Sequence, residues 1–211
     1  DVVTDIDGNE YQAVQIGDQL WMKENLKVTH YNNGDEISTG YSNSEWINLS
    51  TGAYAVYDDN ESNADIYGNL YNWYAVDDNR SIAPEGWHVP TDDEIKQLEM
   101  YLGMSQEEAD ANNDRGTNEG SKLAGNYSLW NNGDLVNDSE FSISGFIATP
   151  SGYRSYGGGQ YLGINNEFNI FTSTTMANGE WGRARRLDYD KTTIYRFSGN
   201  SKDGFSIRCV K

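Results

Sequence analysis

Chemistry in this sequence is sought first among its few histidines, its single thiol and its many carboxylates. Histidine occurs as His30 and His88, and cysteine only as Cys209. His88 stands between Trp87 and Val89, just ahead of Pro90, an apolar setting that suits a structural imidazole better than a general base. His30 follows a strand-like run and is expected at the surface. A cysteine-based oxidase needs a pair of reactive thiols or a copper site built from them, and one cysteine supplies neither. No Gly-x-Ser-x-Gly elbow is present. With 33 acidic residues, a carboxylate pair for glycoside hydrolysis is always conceivable, so the abundance singles out no pair.

Two oxygen-rich stretches raise calcium as the one cofactor to consider. Asp5, Asp7 and Asn9 have the spacing that opens a calcium loop, but the twelfth position is Ile16 where a bidentate Glu is needed. Asp7-Gly8 is instead a hairpin signal, and a turn is the stronger reading. Asp58-Asp59-Asn60-Glu61 with Asp65 is the better cluster, against a solvated acidic turn as the plainer account. Asp110 to Asp114 is a weaker one. No metal is required by the sequence, and no residue is assigned as a ligand.

Binding is the chemistry for which the residue types are richest. Tyr153 and Arg154 lead into a segment holding Tyr161, Asn165, Asn166, Glu167, Asn169, Trp181, Arg183, Arg185, Arg186, Asp188, Tyr189, Asp190, Tyr195 and Arg196. Tyr, Trp, Arg and Asn are the side chains that make contact surfaces. Alternate residues of a strand share a face, which groups Trp181, Arg183, Arg185, Leu187 and Tyr189 apart from Arg186, Asp188 and Asp190. Trp181 and Leu187 mark the core side, so Arg186, Asp188 and Asp190 are the ones expected to be exposed. The competing reading is that the arginines pair with the chain's own acids and the aromatics fill its core.

These residues must be positioned by mixed elements. Thr91 to Glu94 reads as a capping box opening a helix, with Ile95, Leu98 and Leu102 on one face and Gly103 as its stop. Ser105 to Glu108 opens a second, short helix ending near Asn112. Leu70 to Val76 is apolar nearly all round and fits a short buried helix or a buried strand. The stretch from Gly68 to Gly103 is the densest apolar and aromatic part of the chain, with Trp87 and Val89 as plugs between its helices. Strands are expected in residues 1–22, near 53–57, from Phe141 to Ile147 and over Phe168–Thr172. A hairpin is expected from Trp181 to Phe197 around Asp190-Lys191, and a last alternating strand over Gly204–Val210. Residues 30–66 otherwise read as long loops, as do 116–138 with Leu123 and Trp130 as anchors. Ser151–Arg154 and Gly157–Gly159 read as turns.

Composition narrows the partners. The chain has 211 residues, which suits a single domain over 1–211, and a net charge of −18, which repels nucleic-acid phosphates and anionic membranes. No apolar run approaches the ~18 residues that suggest a membrane span. No signal peptide is read in the sequence, and a start at Asp1 would suit a trimmed mature form. Aromatics make up 13% of the residues against 36% for all hydrophobics, so Trp and Tyr must carry much of the core. Oligomeric state is not encoded legibly.

Several motifs in order give the chain a resemblance. They are Asp5-Ile6-Asp7-Gly8-Asn9-Glu10-Tyr11, Trp21-Met22-Lys23-Glu24-Asn25-Leu26, and Tyr67-Gly68-Asn69-Leu70-Tyr71-Asn72-Trp73-Tyr74-Ala75-Val76. Pro84-Glu85-Gly86-Trp87-His88-Val89-Pro90-Thr91, Gly152-Tyr153-Arg154 and Gly204-Phe205-Ser206-Ile207-Arg208-Cys209-Val210 follow. Over nearly its whole length the chain resembles the Fibrobacter succinogenes major paralogous domain family. The resemblance implies an α+β, C-type-lectin-like fold of short antiparallel strands, two or three helices and long loops, distantly related to the formylglycine-generating enzyme fold. It implies an exported bacterial domain, secreted or on the cell surface, often on lipoproteins whose lipid anchor lies outside this chain. C-type-lectin-like folds commonly bind through their C-terminal half; the family itself has no firmly assigned activity. The family often has a cysteine where this chain has Ala83, so Cys209 lacks that partner. The 104–120 region also looks longer than the family's usual pattern. The expectation is a non-enzymatic binding or adhesion domain for a protein or glycan. A carbohydrate-active enzyme and a structural module of a surface assembly are the alternatives.

Overall fold

Both capping boxes open the helices they predict. The structure is a computed structural model describing residues 1–176 and 179–211. The first third carries strands β1 (Val2–Thr4), β2 (Glu10–Ile16) and β3 (Gln19–Met22), helix α1 (Asn43–Trp46), strand β4 (Tyr54–Ala55), helix α2 (Ser62–Tyr67), strand β5 (Leu70–Tyr71) and helix α3 (Trp73–Val76). The middle holds α4 (Asp92–Leu102), α5 (Gln106–Asp110), β6 (Asn113–Arg115), α6 (Glu119–Leu123) and α7 (Asp134–Asn137). The last third is β7 (Ser151–Arg154), β8 (Tyr161–Ile164), β9 (Glu167–Thr175), β10 (Trp181–Asp188) and β11 (Ile194–Asn200). The fold is α+β. More helices form among the described residues than the two or three expected, but only α4 exceeds two turns.

Local chemistry accounts for the elements. Thr91 and Glu94 satisfy each other's backbone donors at the start of α4, and Gly103 ends the helix at φ 135°. Ser105 and Glu108 do the same for α5, which stops at Asp110. The Asp5 carboxylate accepts from the Asp7 and Asn9 amides, the Asn9 side chain and the Tyr11 hydroxyl. That closes the β1–β2 connection as a turn. The two readings of Leu70–Val76 each hold for half: Leu70 and Tyr71 pair with β4, and Asn72 then caps α3 by accepting from the Ala75 amide.

Two expectations fail for backbone reasons. Phe141–Ile147 is a series of turns, not a strand, because Ser142, Gly145 and Ile147 take left-handed φ values. The segment's amides cap α6 instead, Ser142 donating to the Ser121 carbonyl and Ser144 to the Lys122 carbonyl. Ser151–Arg154 is a strand rather than a turn, pairing β8 on one side and β9 on the other.

β1-β2-β3 form one sheet, and a larger sheet runs β6-β11-β10-β9-β7-β8. Two apolar cores flank the chain's last stretch. One is built around Tyr11, Met22, Tyr71, Trp73, Phe171 and Phe205; the other around Trp21, Ile95, Leu98, Trp130, Phe146 and Leu187. Residues 204–210 were expected as one regular strand. They run instead as an extended thread bridging Arg154, Tyr71, Ile170, His88 and Trp21 in turn. The alternation read in the sequence separates two buried sides: Phe205, Ile207 and Cys209 enter the first core, while Val210 enters the second. Arg208 also faces the second core, stacked 4.4 Å from Phe146 and fully buried. Its guanidinium donates to Asn25 Oδ1 at 2.8 Å and to the carbonyls of Met22, Phe146 and Ile147. Burial among neutral acceptors pushes its pKa down to about 9.

Candidate binding face

The hairpin β10–β11 decides how the candidate residues divide. Its register sets Arg185 opposite Arg196 and Arg186 opposite Tyr195. Two arginines directly across a strand pair repel unless acids lie between them. α4 supplies those acids. Asp92 and Glu99 are seven residues apart, two turns along one helical face. Arg185 reaches both, Nε to Glu99 and Nη1 to Asp92, each at 2.7 Å. Arg196 Nη2 lies 2.6 Å from Asp92, and Arg115 of β6 lies 2.7 Å from Glu99. Glu99 is fully buried. Burial alone would push the Asp92 carboxyl upward, but the guanidiniums of Arg196 and Arg185 outweigh it and hold the group well below the usual carboxylate range. Arg185 and Arg196, read as contact residues, are therefore the inner clamp between helix and sheet.

Other candidates are also engaged by the chain itself, Arg154 and Asn169 buried and Tyr161, Asn165, Asn166, Trp181, Arg183 and Tyr189 partly exposed. Arg154 is buried, sandwiched 4.4 Å from Trp46 and 4.9 Å from Tyr161, and donates to the Gly159 and Tyr41 carbonyls. Tyr161 donates to Asp59 at 2.5 Å. Asn165 occupies a left-handed turn position and donates to the Leu129 carbonyl, while Asn166 accepts from Asn131. Asn169 is buried against Glu167. Arg183 donates to Asn112, Trp181 packs edge-on to Tyr156, and Tyr189 leans on the second core.

The opposite face of the sheet holds what is left. Arg186 stacks over Tyr195 at 4.7 Å and pairs with Asp188 at 2.9 Å. Tyr195 continues into Phe197, 5.5 Å away. Phe197 and Tyr153 meet buried Phe205 edge-on at 5.9 and 6.0 Å. Glu167 lies opposite Asp188 in the register. All of Tyr153, Glu167, Arg186, Asp188, Tyr195 and Phe197 are partly exposed. They form a shelf of aromatics, one cation and two acids on hydrogen-bonded strands. Burial raises the Glu167 carboxyl above its ordinary value, against the lowering pull of Asn169 and Arg186. The sequence reading included Tyr153, Arg186, Asp188 and Tyr195 as contacts and held Glu167 within the binding segment, but it did not name Phe197 there. Cross-strand register, which one strand's alternation does not reveal, is what joins them.

The acidic stretches resolve differently. Asp59 accepts from Tyr161, and Asp65 pairs with Lys27 at 2.7 Å. Among the described residues, no group of three or more His, Cys, Asp or Glu side chains is placed to hold a metal ion. His88 contacts Glu94 at 2.7 Å and its backbone pairs with Val210, while His30 contacts Asp7.

A model of the Fibrobacter succinogenes major domain matches residues 14–211. The chain belongs to that family. In this Fibrobacter succinogenes major domain the matched region includes the inner clamp, the shelf and the closing thread. Searches among curated proteins and among solved structures find no match. The family's Gly86–Thr91 stretch bonds the thread through His88 and Val210 and then caps α4 through Thr91. Gly152-Tyr153-Arg154 places Tyr153 on the shelf and bonds Arg154 through its backbone to Gly204 of the thread.

Proposed function

We propose that this domain is a non-enzymatic binding module, exported and presented at the bacterial cell surface, that grips a protein or glycan with the outer face of its large sheet. The observation that carries the reading is the division of the arginines. Arg185 and Arg196 are neutralised inside by Asp92 and Glu99. Arg186 is left on the outer face beside Tyr195, Phe197 and Tyr153. Aromatic and arginine anchors on a rigid sheet are the residue types that dominate contact energies. The C-type-lectin-like character expected of the family supports the same half of the chain as the contact region. The strong negative charge fits an exported protein that avoids nucleic acid. No helix is long and apolar enough to cross a membrane among the described residues. A lipid anchor would lie outside this chain.

The test is a glycan and protein array probed with the wild-type domain and with an Arg186→Ala/Tyr195→Ala variant of unchanged thermal stability. The reading expects hits that the variant loses. Hits retained in full by the variant, or none at all, overturn it. Release of reducing sugar from an array glycan would favour the enzymatic alternative.

A further inference from the structure

Three Asn-Gly pairs punctuate the chain, Asn33-Gly34, Asn132-Gly133 and Asn178-Gly179. Such a pair is chemically labile because glycine has no side chain to shield its amide nitrogen from the carboxamide before it. The nitrogen attacks Cγ, a bond forms between them, and the bond from Cγ to Nδ2 breaks. Nδ2 takes up the proton that the glycine nitrogen loses and departs as ammonia. Water then opens the five-membered imide at one of its two carbonyls. One opening gives aspartate. The other gives isoaspartate, in which the main chain runs through the side-chain carbon. No oxidant or reductant enters.

The pairs differ in the attacking nitrogen. A backbone N–H already donating a hydrogen bond must give it up before the nitrogen can turn onto Cγ. The Gly34 amide donates to the Tyr31 carbonyl at 2.8 Å, and the Gly179 amide to the Met176 carbonyl at 3.1 Å. The two Asp-Gly pairs, which close the same imide by loss of water, are tied as well. Gly8 donates to the Asp5 carbonyl at 3.1 Å and Gly204 to the Arg154 carbonyl at 2.8 Å. The Gly133 amide donates to no acceptor among the described residues. Asn132 is exposed, and its Oδ1 accepts from the exposed Asn137 Nδ2 at 3.2 Å. That donor sits where negative charge gathers on oxygen as the nitrogen adds to Cγ. Asn33 instead has its departing Nδ2 held by the Asp35 carboxylate at 2.9 Å. Glycine is also fixed at 133 by space, since a Cβ there would fall 2.2 Å from the Tyr189 carbonyl oxygen. We infer that Asn132 is a site of spontaneous modification, converting with age to aspartate and isoaspartate while the fold holds Asn33 back.

Its place gives the conversion a consequence. The Asn131 amide bonds the Asn165 carbonyl at 2.8 Å, and the Leu135 amide of α7 bonds the Tyr189 carbonyl at 3.1 Å. Leu135 is buried in the second core. Isoaspartate adds one carbon to the main chain between these ties, which loosens α7 from Tyr189 at the end of β10. None of this uses the shelf's ligand, so it stands independently of the function proposed above.

The test ages the native domain in mildly alkaline buffer beside a sample unfolded in urea. Peptide mass mapping follows both, with isoaspartate detected enzymatically. The unfolded chain supplies each pair's rate without the fold. Giving up one hydrogen bond slows attack roughly two- to twelvefold, so the native-to-unfolded rate ratio should be higher at Asn132 than at Asn33 by that factor. The isoaspartyl form should melt below the fresh domain, while Asn132→Asp, with an ordinary main chain, should melt with it. A ratio at Asn33 equal to or above that at Asn132 overturns the inference. So does a native Asn132 that stays intact while the unfolded chain converts. An isoaspartyl form melting with the fresh domain refutes the loosening of α7.

Discussion

Replacing Glu99 by glutamine keeps the volume of the side chain and removes one charge from the inner clamp. In the native domain Glu99 is fully buried and takes Arg185 and Arg115, each at 2.7 Å. Without it, Arg185 and Arg196 keep Asp92, while Arg115 loses its ion pair. Breaking a buried pair by removing one partner costs about 3–5 kcal/mol, because an uncompensated charge stays behind. For a domain of this size each kcal/mol lowers Tm by about 2–4 °C, so the fall should be about 6–20 °C. Urea unfolding at neutral pH, in low and in high salt, is the assay. Screening reaches buried pairs poorly, so the loss should persist at high salt. The comparison is Asp114→Asn, which breaks the exposed contact to Lys191 and should cost less than about 1 kcal/mol. A Glu99→Gln loss below about 1 kcal/mol, or one that salt erases, would refute the view that charge between α4 and the sheet locks the hairpin in place.

Three further outcomes are expected. Arg208→Lys cannot reproduce a fork that reaches Asn25 and three carbonyls, and should lose about 2–3 kcal/mol by urea unfolding. The Asp203 carboxyl, raised by burial to about 6, should titrate near that value in ¹³C spectra of the folded domain. A carboxyl raised on folding stabilises most at low pH, so its contribution is lost as pH climbs from about 4 to 6. Asp92 works in the opposite sense. Its lowered value gives stability that is present above pH ~4 and lost as pH falls further, so an Asp92→Asn variant should show a flatter acid limb.

What the sequence made legible was what local chemistry controls. Thr91, Glu94 and Gly103 announce α4 because a capping box and a stop residue act within one turn. Ser42 and Glu45 form the same box before Trp46, a signal present but hidden in a polar stretch. Alternation along β10 correctly set Arg186 and Asp188 apart from Arg185 and Leu187. It could not say that Arg185 and Arg196 meet acids seven residues apart on a distant helix, since only the fold brings α4 under the hairpin. Phe141–Ile147 misleads because Ile147, a β-branched residue, takes a left-handed backbone that its type disfavours. Glu167 and Phe197 join the shelf through register alone.

The thread of residues 204–210 also fixes the order in which the molecule can come into being. Tyr71, Asn169 and Leu26 exchange backbone hydrogen bonds with residues that a ribosome delivers near the end of this segment. Until then both apolar halves lie open along the seam. A growing chain without residues 204–210 lacks Phe205, Ile207, Cys209 and Val210 from its two cores, and is expected to complete its packing only once Val210 has emerged. Were the domain exported, as proposed above, that delay would keep it threadable.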